Sequence, residues 1–120
     1  MKERRKLKRR HISYYLPVLD ANTEQIIGHL VDITPLGLML DSQSLLPLEQ
    51  EYNLRLNLTE EVADKDFMVL VGRSKWCQQD YIEPYIYNIG FKLLNITPED
   101  TEIVQRIMDN FGAQESYTFR

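Results

Sequence analysis

Apolar and polar residues alternate with a period of two through most of this chain. Tyr52, Leu54, Leu56 and Leu58 alternate with Asn53, Arg55, Asn57 and Thr59, as in a strand with one face buried and the other in water. The same period predicts a strand over Ile12, Tyr14, Leu16 and Val18, where Pro17 favours a sheet edge. Further strands are expected at about 24–33, at the apolar stretch Leu38–Leu40, over the Val- and aromatic-rich Phe67–Trp76, and over Tyr85, Tyr87, Ile89, Phe91 and Leu93. Six short strands separated by turn residues predict a mainly β fold: a six-stranded antiparallel β-barrel, closed or nearly so.

After Pro98 the period changes. Ile103, Val104, Ile107, Met108 and Phe111 mark one stripe of a C-terminal α-helix. Thr97 is its expected cap, Pro98 suits the first helical position, Asp100 stands in for the acid of a capping box, and Gly112 is the expected stop. The chain therefore divides into an arm at 1–11, a barrel with its helix at 12–112 and a tail at 113–120.

Composition agrees with a single domain. The chain has 120 residues, 43% apolar and 27% charged, enough for a real core. Its one cysteine, Cys77, has no internal disulfide partner, and His11 and His29 lack a third ligand at metal spacing. No apolar run is long enough to cross a membrane, and the basic start does not lead into a signal-peptide core. These features predict a soluble protein of a reducing, cytoplasmic compartment without membrane insertion.

Charge changes the picture more than composition does. The first ten residues hold seven cations (Lys2, Arg4, Arg5, Lys6, Lys8, Arg9, Arg10) and one acid, a formal +6, while the whole chain is −4. A basic arm precedes an acidic body, so the arm is expected to meet an anion. Alone, such a run reads as a solvated tail. Likewise Asp32-Ile33-Thr34-Pro35-Leu36-Gly37 alone reads as a type I turn, with Pro second and Gly fourth in Thr34–Gly37.

Together, Arg5-Lys6-Leu7-Lys8-Arg9 and Asp32–Gly37 resemble the R-x-x-x-R and [D/N]-x-S-x-x-G signature of the PilZ domain. The resemblance continues through Arg73-Ser74-Lys75-Trp76 and Asn88-Ile89-Gly90-Phe91-Lys92-Leu93-Leu94, and so covers nearly the whole chain. It implies a PilZ-like split barrel with a C-terminal helix, and as ligand the bacterial second messenger cyclic di-GMP, with no further cofactor. Thr34 departs from the family's Ser but keeps the hydroxyl, and Arg10 competes with Arg9 through the register Lys6–Arg10.

The resemblance implies ligand contacts from Arg5, Arg9, Asp32, Thr34 and Gly37. A cyclic dinucleotide has two phosphates and two guanines, and the planar fork of arginine can bind a phosphate or the O6/N7 edge of guanine. Asp32 suits the guanine N1/N2 donors, Thr34 a phosphate or base, and Gly37 a close backbone approach. Arg4 and Arg10 are further candidates. A single Trp in a small barrel is more often core, and a guanine platform is the other reading of Trp76. His29 falls on an apolar strand face with Ile27, Val31 and Ile33 and reads as a satisfied edge histidine.

No pair of acids is placed for acid–base catalysis, so a binding switch is expected rather than an enzyme. Neutralisation of the self-repelling arm by phosphates would order it and change the surface offered to a downstream protein. A PilZ-like adaptor that binds only proteins is the alternative. A nucleic-acid binder is the third reading, against which the acidic body offers no aromatic-plus-basic face.

Overall fold

The alternation at residues 52–58 becomes a strand, Glu51–Asn57, that buries Leu54 and Leu56 completely and points Asn53, Arg55 and Asn57 outward. The computed structural model describes residues 16–111, and the arm at 1–11, residues 12–15 and those from Gly112 onward lie outside that range. In chain order the strands are β1 (Pro17–Asp20), β2 (Ile26–Thr34), β3 (Gly37–Ser42), β4 (Glu51–Asn57), β5 (Phe67–Gln79) and β6 (Tyr87–Leu94), followed by α1 (Pro98–Phe111). They close into one antiparallel barrel in the order β1-β2-β3-β6-β5-β4. Closure leaves no strand without two neighbours, although the short β1 covers only the start of β2 and Leu54–Leu56 of β4.

Several expected boundaries shift, each for a local reason. β1 begins at Pro17, which pairs with His29 of β2, while pairing to β4 starts only at Val18. Proline thus occupies a position with one neighbouring strand, where its missing N–H breaks no ladder bond to β4. β2 starts at Ile26 because Glu24 has a left-handed backbone (φ 64°) in the preceding turn. β3 extends to Gly37–Ser42 and β5 to Gln79. Tyr85 is not part of β6: it stands 68% exposed in the β5–β6 loop, and the strand begins at Tyr87.

The barrel interior is filled by Val18, Ile33, Leu40, Leu54, Leu56, Met68 and Ile89, all at most 2% exposed. Each such side chain contributes roughly 1.5–3 kcal/mol on burial. α1 adds Ile103, Val104 and Ile107 to this core, with Met108 packed beside them. Its cap forms as expected: the Asp100 N–H donates to Thr97 Oγ1 at 3.1 Å. The Asp100 carboxylate turns instead to Lys65 at 3.3 Å, which ties the helix start to the β4–β5 connection. Val62 from that connection is buried, and its carbonyl accepts from Arg106 at 2.9 Å.

Two β-bulges set what faces outward. Along β2, Gly28 and Leu30 point inward, but the pairing to β3 jumps from Leu30↔Leu40 to Asp32↔Met39, leaving Val31 as an inserted residue. Asp32 therefore faces out and Ile33 in. His29 consequently does not share a face with Ile33, and it is no edge residue, being paired to Pro17 on one side and Asp41 on the other. Along β5, Met68, Leu70, Gly72 and Ser74 point inward, and the pairing to β6 jumps from Ser74↔Phe91 to Trp76↔Gly90. Lys75 is the inserted residue there. A one-residue slip turns every later side chain to the other face, which is why Trp76 is 42% exposed and not core.

Candidate ligand-binding face

The two bulges bring their displaced residues onto one outer surface. Through successive strand pairings, Asp32 of β2 lies beside Met39 of β3, Met39 beside Gly90 of β6, and Gly90 beside Trp76 of β5. The next row runs Thr34, Gly37, Lys92, Arg73 and Glu51. With strands about 4.8 Å apart, Asp32 and Trp76 stand about 14–15 Å apart across the row. Between the rows lies a shallow open cavity of about 340 Å³, lined by Asp32, Thr34, Met39, Trp76, Gly90 and Lys92 among others.

Two glycines shape the surface in different ways. The indole of Trp76 lies directly over Gly90, where any Cβ would overlap the ring. Glycine there lets the aromatic plane lie down on the sheet rather than stand away from it. Gly37 has a different role from the expected one: a Cβ would meet the Phe91 carbonyl oxygen at 2.6 Å, so its close approach is to β6, not to a ligand. Its effect on the site is indirect, holding β3 and β6 together beneath the cavity.

The turn between β2 and β3 is built by Thr34. Its Oγ1 accepts from the N–H groups of Leu36 at 3.2 Å and Gly37 at 3.3 Å, and Thr34 pairs with Gly37 to close the hairpin. Asp32 Oδ1 accepts from the Ile33 N–H at 3.0 Å, which orients the carboxylate at the cavity wall. On the far side, Arg73 binds Glu51 at 2.7 Å and Lys75 binds Glu49 at 3.0 Å. Lys92 is exposed and has no carboxylate within ion-pair distance among the described residues. An aromatic ring flanked by lysines is thus present on this face, which corrects the expectation that the acidic body offers no aromatic-plus-basic surface.

The bulge beside Trp76 is itself fastened. Ser74, fully buried, donates from Oγ to the Pro47 carbonyl at 2.7 Å and exchanges backbone bonds with the β3–β4 loop at Glu49 and Gln50. These contacts pin the strand just before the phase change, so the Trp76 direction is a rigid feature of the sheet.

Of the residues expected at the site, Asp32, Thr34, Gly37 and Trp76 come together on this face. Arg4, Arg5, Arg9 and Arg10 lie outside the described residues. The described chain begins at Leu16, whose carbonyl accepts from the Leu30 N–H at 2.8 Å, next to the bulge that presents Asp32. Arg9 lies seven positions before Leu16, a reach of up to roughly 25 Å. That exceeds the width of the row from Asp32 to Trp76. Lys92, Gly90 and Met39 were not singled out by sequence reasoning, although Gly90 and Lys92, two apart on a period-2 strand, share the face that an outward Trp needs.

Comparison with known proteins agrees with this architecture: the PilZ domain family model matches residues 3–110, a span that takes in both the R-x-x-x-R segment and the Asp32–Gly37 turn. The chain belongs to the PilZ domain family. No curated protein and no solved structure matches it significantly. PilZ domains form a receptor family for cyclic di-GMP and are binding domains, often acting through protein effectors. No helix among the described residues of this PilZ domain is long and apolar enough to cross a membrane.

Proposed function

We propose that this PilZ domain is a receptor that binds cyclic di-GMP on the β2–β3–β6–β5 face without transforming it. The carrying observation is the row Asp32, Met39, Gly90, Trp76, which sets a carboxylate and a flat aromatic ring on either side of an open apolar floor. Asp32 accepts from the N1/N2 edge of a guanine, and the Trp76 ring supports a base by stacking, an interaction of about 1–3 kcal/mol per base. Lys92 supplies one cation beside the Thr34–Gly37 turn. Two phosphates require more, and with Arg73 and Lys75 already paired to glutamates, the remaining charge comes from the arm.

In this reading Arg5 and Arg9 reach over the cavity and take the phosphates or the guanine O6/N7 edge through their planar forks. In the same reading Arg4 and Arg10 add a contact to a second ligand molecule or to the same one. Closure of the arm over the ligand removes its self-repulsion and alters the surface presented to a downstream protein effector. The ligand is a cytoplasmic messenger, and we place the protein in that compartment. The proposed chemistry uses no catalytic group, metal or other cofactor.

Calorimetry of the purified chain against cyclic di-GMP, with GTP and a short RNA as controls, tests the reading. Micromolar or tighter binding of the cyclic dinucleotide alone is expected. Absence of heat at micromolar protein would eliminate the receptor function and leave a protein-binding adaptor. Preference for RNA would reassign the Lys75–Trp76–Lys92 surface to nucleic acid.

A further inference from the structure

In an antiparallel barrel the odd strands run one way, so the connections β1–β2 (21–25), β3–β4 (43–50) and β5–β6 (80–86) meet at one end. The Thr34–Gly37 turn, Leu16 at the beginning of the described chain and the start of α1 are at the other. Ten large hydrophobic side chains are exposed among the described residues, and six of them cluster at the first end: Ile26, Leu45, Leu48, Tyr81, Ile82 and Tyr85. Scattered exposed apolar residues need no explanation, whereas a cluster on three adjoining loops marks an interaction surface.

The β5–β6 loop is held in shape before any partner arrives. Asp80 Oδ2 accepts from the N–H groups of Ile82 and Glu83, both at 2.9 Å, and Oδ1 accepts from Asn88 Nδ2 at 2.8 Å. The Asp80 N–H donates to the Ile86 carbonyl at 2.7 Å, and Gln79 Nε2 donates to the Pro84 carbonyl at 2.7 Å. Tyr85 and Ile82 are therefore presented on a closed, hydrogen-bonded loop. Such preorganisation lowers the ordering cost of binding, and Tyr is enriched among residues that dominate interfaces. Next to the loop, Ile26, Ile27, Asp41, Ser42 and Ile86 help line a cavity of about 350 Å³ with room for an inserted apolar side chain.

Charge selects among occupants. Residues 20–26, 43–50 and 80–86 contain five carboxylates (Asp20, Glu24, Glu49, Asp80, Glu83) and no lysine or arginine. Arg55 and Lys75 on the neighbouring strands offset two of them, Glu24 and Glu49. Asp80 is itself buried and engaged within its loop, so Asp20 and Glu83 are left to face a partner, and the end stays acidic. It repels nucleic acid and anionic lipid, and its two nearby cations are already paired to glutamates.

We propose that this end of the barrel docks a polypeptide segment of a partner protein whose apolar side chains are flanked by lysine or arginine. Apolar anchors of the partner enter the cavity and pack on Tyr85 and Ile82, and its cations face the carboxylate rim. The surface is at the end opposite the Thr34–Gly37 turn and is formed by other loops than the Asp32–Trp76 row, so the proposal stands independently of nucleotide binding.

The test uses isotope-labelled full chain and an 18-residue amphipathic Leu/Lys peptide as probe, followed by NMR amide shifts. Shifts are expected in residues 81–86, 44–48 and 26–29. Affinity should fall at least about tenfold in the double variant Tyr85→Ser, Ile82→Ser, which changes only exposed side chains and should keep the remaining spectrum. It should fall similarly for a matched Leu/Glu peptide. The proposal is overturned by no binding, by shifts confined elsewhere, or by equal binding of the Leu/Glu peptide. Preferential occupation by a peptide of residues 1–11, variant-sensitive binding to phosphatidylglycerol vesicles, or self-association abolished by Tyr85→Ser would each overturn it by naming another occupant.

Discussion

Asp32 and Trp76 stand at opposite ends of one cross-strand row, and each faces outward because the residue just before it, Val31 or Lys75, is an inserted bulge. Were Val31 or Lys75 paired in turn as a regular strand residue, the side chain would fall in phase with the interior, behind Gly28 and Leu30 in one strand and Met68, Leu70, Gly72 and Ser74 in the other. Bulges are a recurrent means of re-aiming a side chain beside a functional site.

Insertion of one residue between Gly90 and Phe91, which gives Lys75 a partner and removes the bulge, should therefore drive Trp76 toward an interior that is already filled. A clear loss of thermal stability is expected, by the 1–3 kcal/mol or more typical of overpacking, together with loss of ligand heat. Lys75→Ala keeps the bulge and should change stability little, since its ion pair with Glu49 is exposed. Thermal unfolding and calorimetry on the two variants check this, and equal behaviour would count against the bulge as the device.

Arg5→Ala and Arg9→Ala should each weaken cyclic di-GMP binding by about tenfold or more, because a hydrogen bond to a charged group is worth roughly 1.5–3 kcal/mol. Arg9→Lys should lose most of the same affinity if the planar fork matters. Arg55→Ala is the control: that side chain is engaged with Glu24, Asn57 and the Phe67 ring on another part of the barrel. Lys2→Ala should matter little. Titration calorimetry decides, and Arg9→Lys binding like the parent would mean a diffuse cationic tail.

Trp76 is the sole tryptophan of the chain, so its fluorescence reports the site directly. Ligand should change its emission, and Trp76→Ala should reduce affinity by the roughly 1–3 kcal/mol of one stacked base. The variant should unfold close to the parent temperature. A large stability loss would instead return Trp76 to a structural role.

Two glycine substitutions should separate site from scaffold. In Gly90→Ala the new methyl meets the Trp76 indole, a side chain that can swing away, so emission and affinity should change more than stability. In Gly37→Ala the methyl meets the Phe91 carbonyl of the adjoining strand, which cannot, so stability should fall first. Denaturant melts alongside fluorescence titrations distinguish the two patterns.

Tyr52 packs edge-on against Phe91, with ring centroids 5.9 Å apart. Burial, and to a lesser extent the nearby charge of Asp20, raise its pKa above the ordinary 10.0. The folded state thus holds the phenol proton to higher pH than the unfolded chain does. The resulting stability is fully present below pH 10 and lost as pH rises through the folded-state value. Tyr52→Phe should make unfolding less steeply pH-dependent above pH 10, as read by denaturant midpoints from pH 8 upward.

Much of this was legible in the sequence because it is carried by short-range patterns. The period-2 run at 52–58 specifies a half-buried strand, Thr97 with Pro98 specifies a helix start, and the charge of residues 1–10 and the Asp32–Gly37 turn point to an anionic ligand without reference to any fold. What local pattern could not settle was which way Asp32, His29 and Trp76 point. Alternation predicts a face only while the register is unbroken, and a bulge adds one residue with no compositional mark of its own. Trp76 lies outside because Gly90, fourteen residues away and on another strand, leaves room for its ring, and because Ser74 is pinned to the β3–β4 loop just before the phase changes. Those contacts exist only once β5 and β6 are paired, so the tertiary structure decided the direction of the ring, and with it the site.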